Sequence, residues 1–325
     1  MSMNNKIVLV TGGAGFIGSH LVDRLVREKP EKIIVLSNFF LGTKRNLRRA
    51  RKNFENLEII NCDVSDYDSL LKVFTKYKVD IVFNLAVIPL PTSLVKPEWT
   101  VETNIKMTLN ICQLMRENYF SKLIQYSSSE AFGTLKYVPM DLKHPLIPET
   151  PYAASKAATD HIALSYHRTF GHDVTVVMPF NQYGPRQNAK KYAGIIPLMI
   201  KKMANQESVE IFGDGNQTRD FCYVKDTADA TVKIALNDSL SGKTVLIGSG
   251  IEISINFLVQ SLSKLLNYDK PIVYSSARPG DVRRHLADIS YIKDIIGWTP
   301  QTSIEDGLKN TVDWYLRDDE FFNEK

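Results

Sequence analysis

A chain of 325 residues with 44% hydrophobic and 23% charged side chains can bury a large core, as one big α/β domain or two smaller ones. Its 40 Lys and Arg against 36 Asp and Glu leave a formal charge of +4, too small to argue for a nucleic-acid or membrane partner. Cys62, Cys112 and Cys222 are widely spaced, match no metal-ligand pattern and point to a reducing compartment.

The first apolar run, "KIVLV", is five residues long and then breaks into glycines, so it reads as a strand and not as a signal peptide. No apolar stretch approaches the length of a membrane span, and the expected location is the cytoplasm. "TGGAGFIG" follows, with Gly12, Gly15 and Gly18 in a GxxGxxG spacing between that strand and a helix. Such glycines permit a tight turn and a close approach of pyrophosphate to the helix N-terminus. The helix is expected over Gly18–Arg27, with Ile17, Leu21, Leu25 and Val26 at helical spacing.

The next strand, "KIIVL", runs into "SNFFLG". An acid about 20 residues after the glycine motif normally accepts hydrogen bonds from the adenosine ribose. Ser37 stands there instead, followed by Asn38. Without the carboxylate a 2′-phosphate is repelled less, and Lys44 or Arg45 is in reach of one. NADP is therefore an alternative to NAD, whose hydroxyls Ser37 and Asn38 can equally bond. The basic run Lys44 to Lys52 reads as a solvated helix face. After a third strand, "LEIIN", Asp63 is placed to meet the adenine edge or to cap the next helix, expected over Asp66–Tyr77 behind a Ser65 cap.

Further strands are expected in "VDIVFNLA", "KLIQYS" and "DVTVVMPF". Strand and helix in alternation predict a parallel sheet covered on both faces. Beyond Phe180 the pattern loosens into "NQYGPRQ", "FGDGNQTRD" and "SARPGD", the mark of a smaller region and not of a separate linear domain.

Two stretches carry chemistry. "SSSEAFG" sets the carboxylate of Glu130 beside three hydroxyls at the end of a strand, and "PYAASK" holds Tyr152 and Lys156 four apart, on one face of a helix. A tyrosine base working near neutral pH needs its pKa lowered from about 10 toward 7, roughly 4 kcal/mol. One ammonium about 4 Å away supplies about that much at an effective dielectric near 20. None of the six histidines stands in a metal or triad spacing; His161 and His167 are read as packing or solvated residues.

Taken together, "TGGAGFIG", "CDVSD", "FNLA", "ETNI", "SSSEAFG", "YAASK", "PFNQYGPRQ", "GDGNQTRDFCYV", "RPGDVRRHLADIS" and "GWTP" resemble the extended short-chain dehydrogenase/reductase family, the nucleotide-sugar epimerases and dehydratases, over nearly the whole chain. The resemblance implies a Rossmann-type doubly wound parallel sheet, with a dinucleotide-binding domain over residues 1–180. Residues 181–325 are then mainly a nucleotide-sugar-binding α/β region, some segments of which return to the sheet. It implies NAD as cofactor, lined also by Phe16, Ile17, Val64, Leu85, Ala86 and Pro179, and a nucleotide-diphosphate sugar as substrate.

By the same resemblance Ser128 bonds the sugar 4-hydroxyl, Tyr152 removes its proton, and Lys156 binds the nicotinamide ribose and tunes Tyr152. Asn181, Arg219 and Arg278 match positions that hold the diphosphate, with Ser129 beside the substrate. Asn104 matches a buried structural asparagine. A homodimer is implied, built on the helix beginning near Val101 and the one carrying Tyr152. In relatives that are 4,6-dehydratases a Glu occupies the slot of Glu130, where a base for the C5 proton is needed; turn capping is the other reading of Glu130.

Dehydratases acting on dTDP-glucose carry Asp at the place of Ser129. GDP-mannose dehydratases and UDP-glucuronate decarboxylases have a hydroxyl residue there, but the decarboxylases show Arg-Lys-Pro-Asp where this chain has His285, Leu286, Ala287 and Asp288. The leading expectation is a 4,6-dehydratase. A 4-epimerase, an NADPH-consuming 4-ketoreductase and a cofactor-binding regulator with a dead site stay open behind it. Base and sugar contacts are expected from loops 188–197 and 209–212, whose specificity the sequence does not reveal.

Overall fold

Val8 to Val10, Ile33 to Leu36 and Ile81 to Phe83 are buried at consecutive positions, so both faces of their strands need cover. The computed structural model, which describes residues 2–189, 193–277 and 283–317, shows that cover. The strands are β1 (Ile7–Thr11), β2 (Lys32–Ser37), β3 (Leu57–Asn61), β4 (Ile81–Asn84), β5 (Lys122–Tyr126), β6 (Asp173–Pro179), β7 (Asn181–Tyr183), β8 (Val209–Phe212), β9 (Thr218–Tyr223), β10 (Thr244–Ile247), β11 (Glu252–Ser254) and β12 (Ile272–Ser275). The helices are α1 (Phe16–Val26), α2 (Arg48–Asn53), α3 (Tyr67–Lys76), α4 (Leu90–Ser93), α5 (Pro97–Arg116), α6 (Pro151–Phe170), α7 (Ile195–Ala204), α8 (Val224–Ala235), α9 (Ile255–Leu266), α10 (Ser290–Ile296) and α11 (Ile304–Leu316).

A seven-stranded sheet runs β10-β6-β5-β4-β1-β2-β3, parallel throughout. The chain builds outward from β1 to β3, then crosses to β4 and builds the other way. Strand order reverses between β1 and β4, and beyond the carboxyl ends of those strands a doubly wound sheet opens its crevice. Around Tyr183, Ile200, Phe221, Leu258, Leu308 and Tyr315 a second core joins the three-stranded sheet β11-β9-β7 to α7, α9 and α11. β8 and β12 pair separately. Within the later half of the chain, β10 lies in the large sheet beside β6.

Local chemistry sets the element ends. α3 begins one residue later than expected, because Asp66, not Ser65, is its cap, accepting from the main-chain N–H groups of Asp68 and Ser69. A carboxylate there also faces the positive end of the helix, which a serine hydroxyl does not match. Ser65 instead donates to Asp63 from both its N–H and its hydroxyl, at 2.9 and 2.7 Å. In the basic run, Leu47 and Ala50 are buried while Arg48, Arg49, Arg51 and Lys52 face out, an amphipathic helix face. Among the described residues, no helix is long and apolar enough to cross a membrane.

Two contacts hold the site's frame. Gly133 has φ +65°, and a Cβ there would lie 1.5 Å from the Ile147 carbonyl oxygen, so only glycine fits beneath the bridge that joins these residues. Ile147 N–H donates to Phe132 at 3.1 Å and fastens the same junction. Asp220, fully buried on β9, accepts from Ser249 N–H and hydroxyl (2.6 and 2.7 Å), Gly250 N–H (3.0 Å) and Ala287 N–H (3.2 Å). One carboxylate thereby ties the three-stranded sheet to the turn after β10, each bond to a charged group contributing about 1.5–3 kcal/mol.

Candidate active site

The side chains that matter leave the carboxyl edge of the large sheet. β1 ends at Thr11 and turns through Gly12, whose φ is +64° and whose added Cβ would meet the backbone of Leu85 and Ala86 at 3.0 Å. A Cβ on Gly18 would lie 2.4 Å from the Gly12 carbonyl oxygen. Gly15 caps α1 without any side-chain acceptor, and no acid lies in the first turn. The first N–H groups of α1 are thus open to an anion, which fits a dinucleotide pyrophosphate.

β5 ends at Tyr126 and leads into Ser127 and Ser128. Ser128 caps the 3-10 turn Ser129–Phe132, its hydroxyl accepting from Glu130 N–H at 3.3 Å. α6 starts at a proline, with Thr150 as cap accepting from Ala153 N–H at 3.1 Å. That start places Tyr152 in the first turn, facing Ser128. Asn104 donates to Ser155 at 3.0 Å and closes on the Ile88 backbone from both ends of its amide, so it braces α6 from α5.

One cavity of about 500 Å³ runs between these groups. Gly12, Gly15, Phe16, Ile17, Gly18, Ser37, Asn38, Asp63, Val64, Leu85, Ala86 and Pro179, the residues expected at a cofactor, all line it. Ser128, Ser129, Glu130, Tyr152, Lys156 and Asn181 line it as well. Arg219 does not line it; its guanidinium donates to the Thr218 carbonyl at 2.9 Å and acts on Glu130 through its charge. Arg278 lies outside the described residues, as does part of the 188–197 loop.

Past the carboxyl end of β2, Ser37 hydroxyl accepts from Phe39 N–H at 3.1 Å, and Asn38 donates to Asp63 at 3.2 Å. Hydrogen bonds from Ser65 and Asn38 hold Asp63 below the usual carboxylate range against the opposing effect of burial. A negative charge is therefore present here, supplied from the loop after β3. Lys44, an expected phosphate contact, lies over the Phe39 ring, and neither it nor Arg45 lines the cavity.

Burial dominates the electrostatics of Tyr152 and Lys156. Lys156 ammonium donates to the Tyr126 carbonyl, and burial lowers its pKa. Tyr152 is not lowered toward neutrality; burial pushes it up to about 12, Glu130 and Asp160 add to that, and the Ser128 hydroxyl pulls the other way. Desolvation of the phenolate outweighs the hydrogen bond it gains. Burial also raises Glu130, with Arg219 opposing.

Three contributors were not singled out from sequence. Arg186, in the "GPRQ" stretch, lines the cavity and pairs with Asp23 at 2.7 Å. His285 is buried against the Phe180 ring, its Nδ1 3.4 Å from Asn181 Oδ1, and burial lowers its pKa to about 4, which keeps it neutral. Asp160, one turn beyond Lys156, accepts from Ser127 and is pushed up to about 7 by burial. An arginine in a glycine-proline run was a readable signal, whereas burial of His285 and Asp160 depends on tertiary contacts.

Residues 9–311 match the model of the GDP-mannose 4,6-dehydratase family. The UDP-glucuronate 4-epimerase of Thermodesulfobacterium geofontis is 34% identical over 312 residues, spanning 94% of this chain and 95% of that protein. Among solved structures, the UDP-N-acetylglucosamine 4-epimerase of Methanobrevibacter ruminantium superposes with a TM-score of 0.89 at 36% identity, covering 97% of this chain and 99% of that one. The dTDP-glucose 4,6-dehydratase of Streptomyces venezuelae, solved with NAD bound, gives a TM-score of 0.90 at 29% identity, covering 98% and 99%.

Proposed function

The chain belongs to the GDP-mannose 4,6-dehydratase family of nucleotide-sugar epimerases and dehydratases, and from that premise we propose that it removes water from a nucleotide-diphosphate hexose across C5 and C6. The observation that carries the dehydratase reading is Glu130, a carboxylate in the same cavity as Ser128, Tyr152 and Lys156. Its elevated pKa makes it a stronger base than an ordinary carboxylate, suited to a proton beside a carbonyl.

The residues divide the work by place. The glycine turn and the α1 N-terminus would hold the pyrophosphate of NAD; Ser37, Asn38 and Asp63 would take its adenosine end, Leu85, Ala86 and Pro179 its middle, and Lys156 the nicotinamide ribose. NAD, when bound, accepts the C4 hydride, returns it later, and contributes a positive ring. Tyr152, bonded by Ser128, takes the C4 hydroxyl proton, and the phenolate this needs is favoured by positive charge nearby. Once C4 is a ketone, Glu130 removes the C5 proton, and the C6 hydroxyl leaves as water with it. Asn181 and Arg186, which line the same cavity, are read as substrate contacts; Arg219 and Arg278 are read as diphosphate partners on the resemblance alone.

A 4-epimerase is the second reading, favoured by the 4-epimerases among the similar proteins, at 34% and 36% identity. Mass spectrometry of the product separates the two. Purified protein is incubated with UDP-, GDP-, dTDP- and CDP-hexoses without added reductant; loss of one water supports the dehydratase, and unchanged mass with a new C4 epimer overturns it. We read the assembly as a homodimer through α5 and α6, where Leu109 and Phe170 are exposed. Sedimentation equilibrium is expected to give twice the chain mass, and a monomer at micromolar concentration counts against it.

A further inference from the structure

Helix α6 carries a third ionisable group in line with two already assigned. Tyr152, Lys156 and Asp160 are spaced four and four, so their side chains climb one face. Asp160 is 4% exposed and Lys156 5%. One carboxylate oxygen of Asp160 accepts from the Ser127 hydroxyl, and the other, Oδ1, is buried with no hydrogen-bond partner among the described residues. Lys156 donates to the carbonyl of Tyr126, the residue before Ser127. The same end of β5 thus grips both the lysine and the acid.

A buried carboxylate oxygen without a donor is unfavourable, and an amide would fill the same space without the charge. The carboxylate lies one turn beyond Lys156 on the same helix face, and Lys156 is the cation that acts on it. Lys156 and Asp160 act on each other, and Asp160 also acts on Tyr152. The surrounding elements bring no competing ion: α5 offers Asn104 and Met107, α8 offers Thr231 to the Tyr126 phenol, and β6 gives the Val177 carbonyl to Ser127 N–H. Glu130, from the turn after β5, reaches Tyr152.

We propose that Asp160 is a positioning residue that keeps the Lys156 ammonium charged inside the buried site, with Ser127 fixing the carboxylate in place to do so. Burial drives Lys156 toward its neutral form, and the opposite charge one turn along the helix resists this. The inference deepens the proposed function, since it rests on Lys156 serving the cofactor.

The test reads the lysine directly. Lys156 is acetylated with trace acetic anhydride across a pH series, and its labelling is quantified by mass spectrometry against exposed lysines of the same chain. In Asp160→Asn its titration midpoint is expected to fall by about one pH unit or more, the scale of a nearby opposite charge, while exposed lysines stay unchanged. A midpoint equal to that of the native protein overturns the proposal. If Asp160→Asn does not fold, Ser127→Ala is read in its place; it removes the donor that ionises Asp160, so the midpoint again falls, and an unmoved midpoint again overturns the proposal. Calorimetric NAD⁺ binding by Lys156→Met tests the underlying reading separately, because undiminished affinity removes Lys156 from the cofactor whatever the labelling shows.

Discussion

Replacing Tyr152 by Phe is expected to lower turnover of the nucleotide sugar by about 10²- to 10⁴-fold, the usual contribution of a positioned general base. In barrier height this is about 3 to 5 kcal/mol. Phe keeps the ring and its place in the first turn of α6, where Thr150 and the proline set the helix start, so the loss falls on proton transfer and not on packing. Two controls isolate it. NAD⁺ affinity measured by calorimetry should change little, because Lys156 and the glycine turn are untouched, and the thermal midpoint should hold. A Tyr152→Phe enzyme within about tenfold of the native rate would remove Tyr152 as the C4 base.

The pH dependence follows from the same site. A phenol pushed up to about 12 by burial is protonated at neutral pH unless positive charge stabilises its anion. Native turnover should therefore rise with pH until the phenolate of the cofactor-loaded enzyme is fully formed.

The second large effect concerns Glu130. In Glu130→Gln the release of water is expected to fall by about 10²- to 10⁴-fold while C4 oxidation continues. Stopped-flow absorbance of reduced nicotinamide should then show the cofactor reduced and held, with a 4-keto hexose that has kept its oxygen at C6. Undiminished water release would remove Glu130 from the reaction and revert it to a turn residue. Stability provides the control, and its sign is opposite to that of most active-site losses. A carboxyl whose folded pKa lies above its unfolded value destabilises the fold progressively as pH rises through the folded pKa. Glutamine removes that dependence, so the thermal midpoint at neutral pH should stay level or rise.

How much of this was readable in the chain depended on the range of the interaction. β1, β2 and β4 announce themselves because parallel strands buried on both faces must be apolar at successive positions. The glycine turn was readable because steric exclusion at Gly12 and Gly18 leaves no other residue. Tyr152 and Lys156 were readable as a pair because helical spacing is local. The α3 cap was misplaced by one residue because Ser65 and Asp66 are both good caps, and only the competing bond from Ser65 to Asp63 decides between them. The burial that raises Tyr152 was not readable from its spacing to Lys156, because it depends on tertiary contacts. His285 and Asp160 stayed hidden because their surroundings come from segments far away in sequence.

The two proposed bases sit on supports of different kinds. Tyr152 rides a 20-residue helix braced by Asn104, whereas Glu130 rides a four-residue turn pinned by the Gly133–Ile147 bridge. Substitutions in the segment between those two pins can shift Glu130 without moving Tyr152. The scaffold is accordingly modular: the proposed oxidising pair stands on the deep frame, and the proposed second base can be re-aimed through a handful of changes in one short segment.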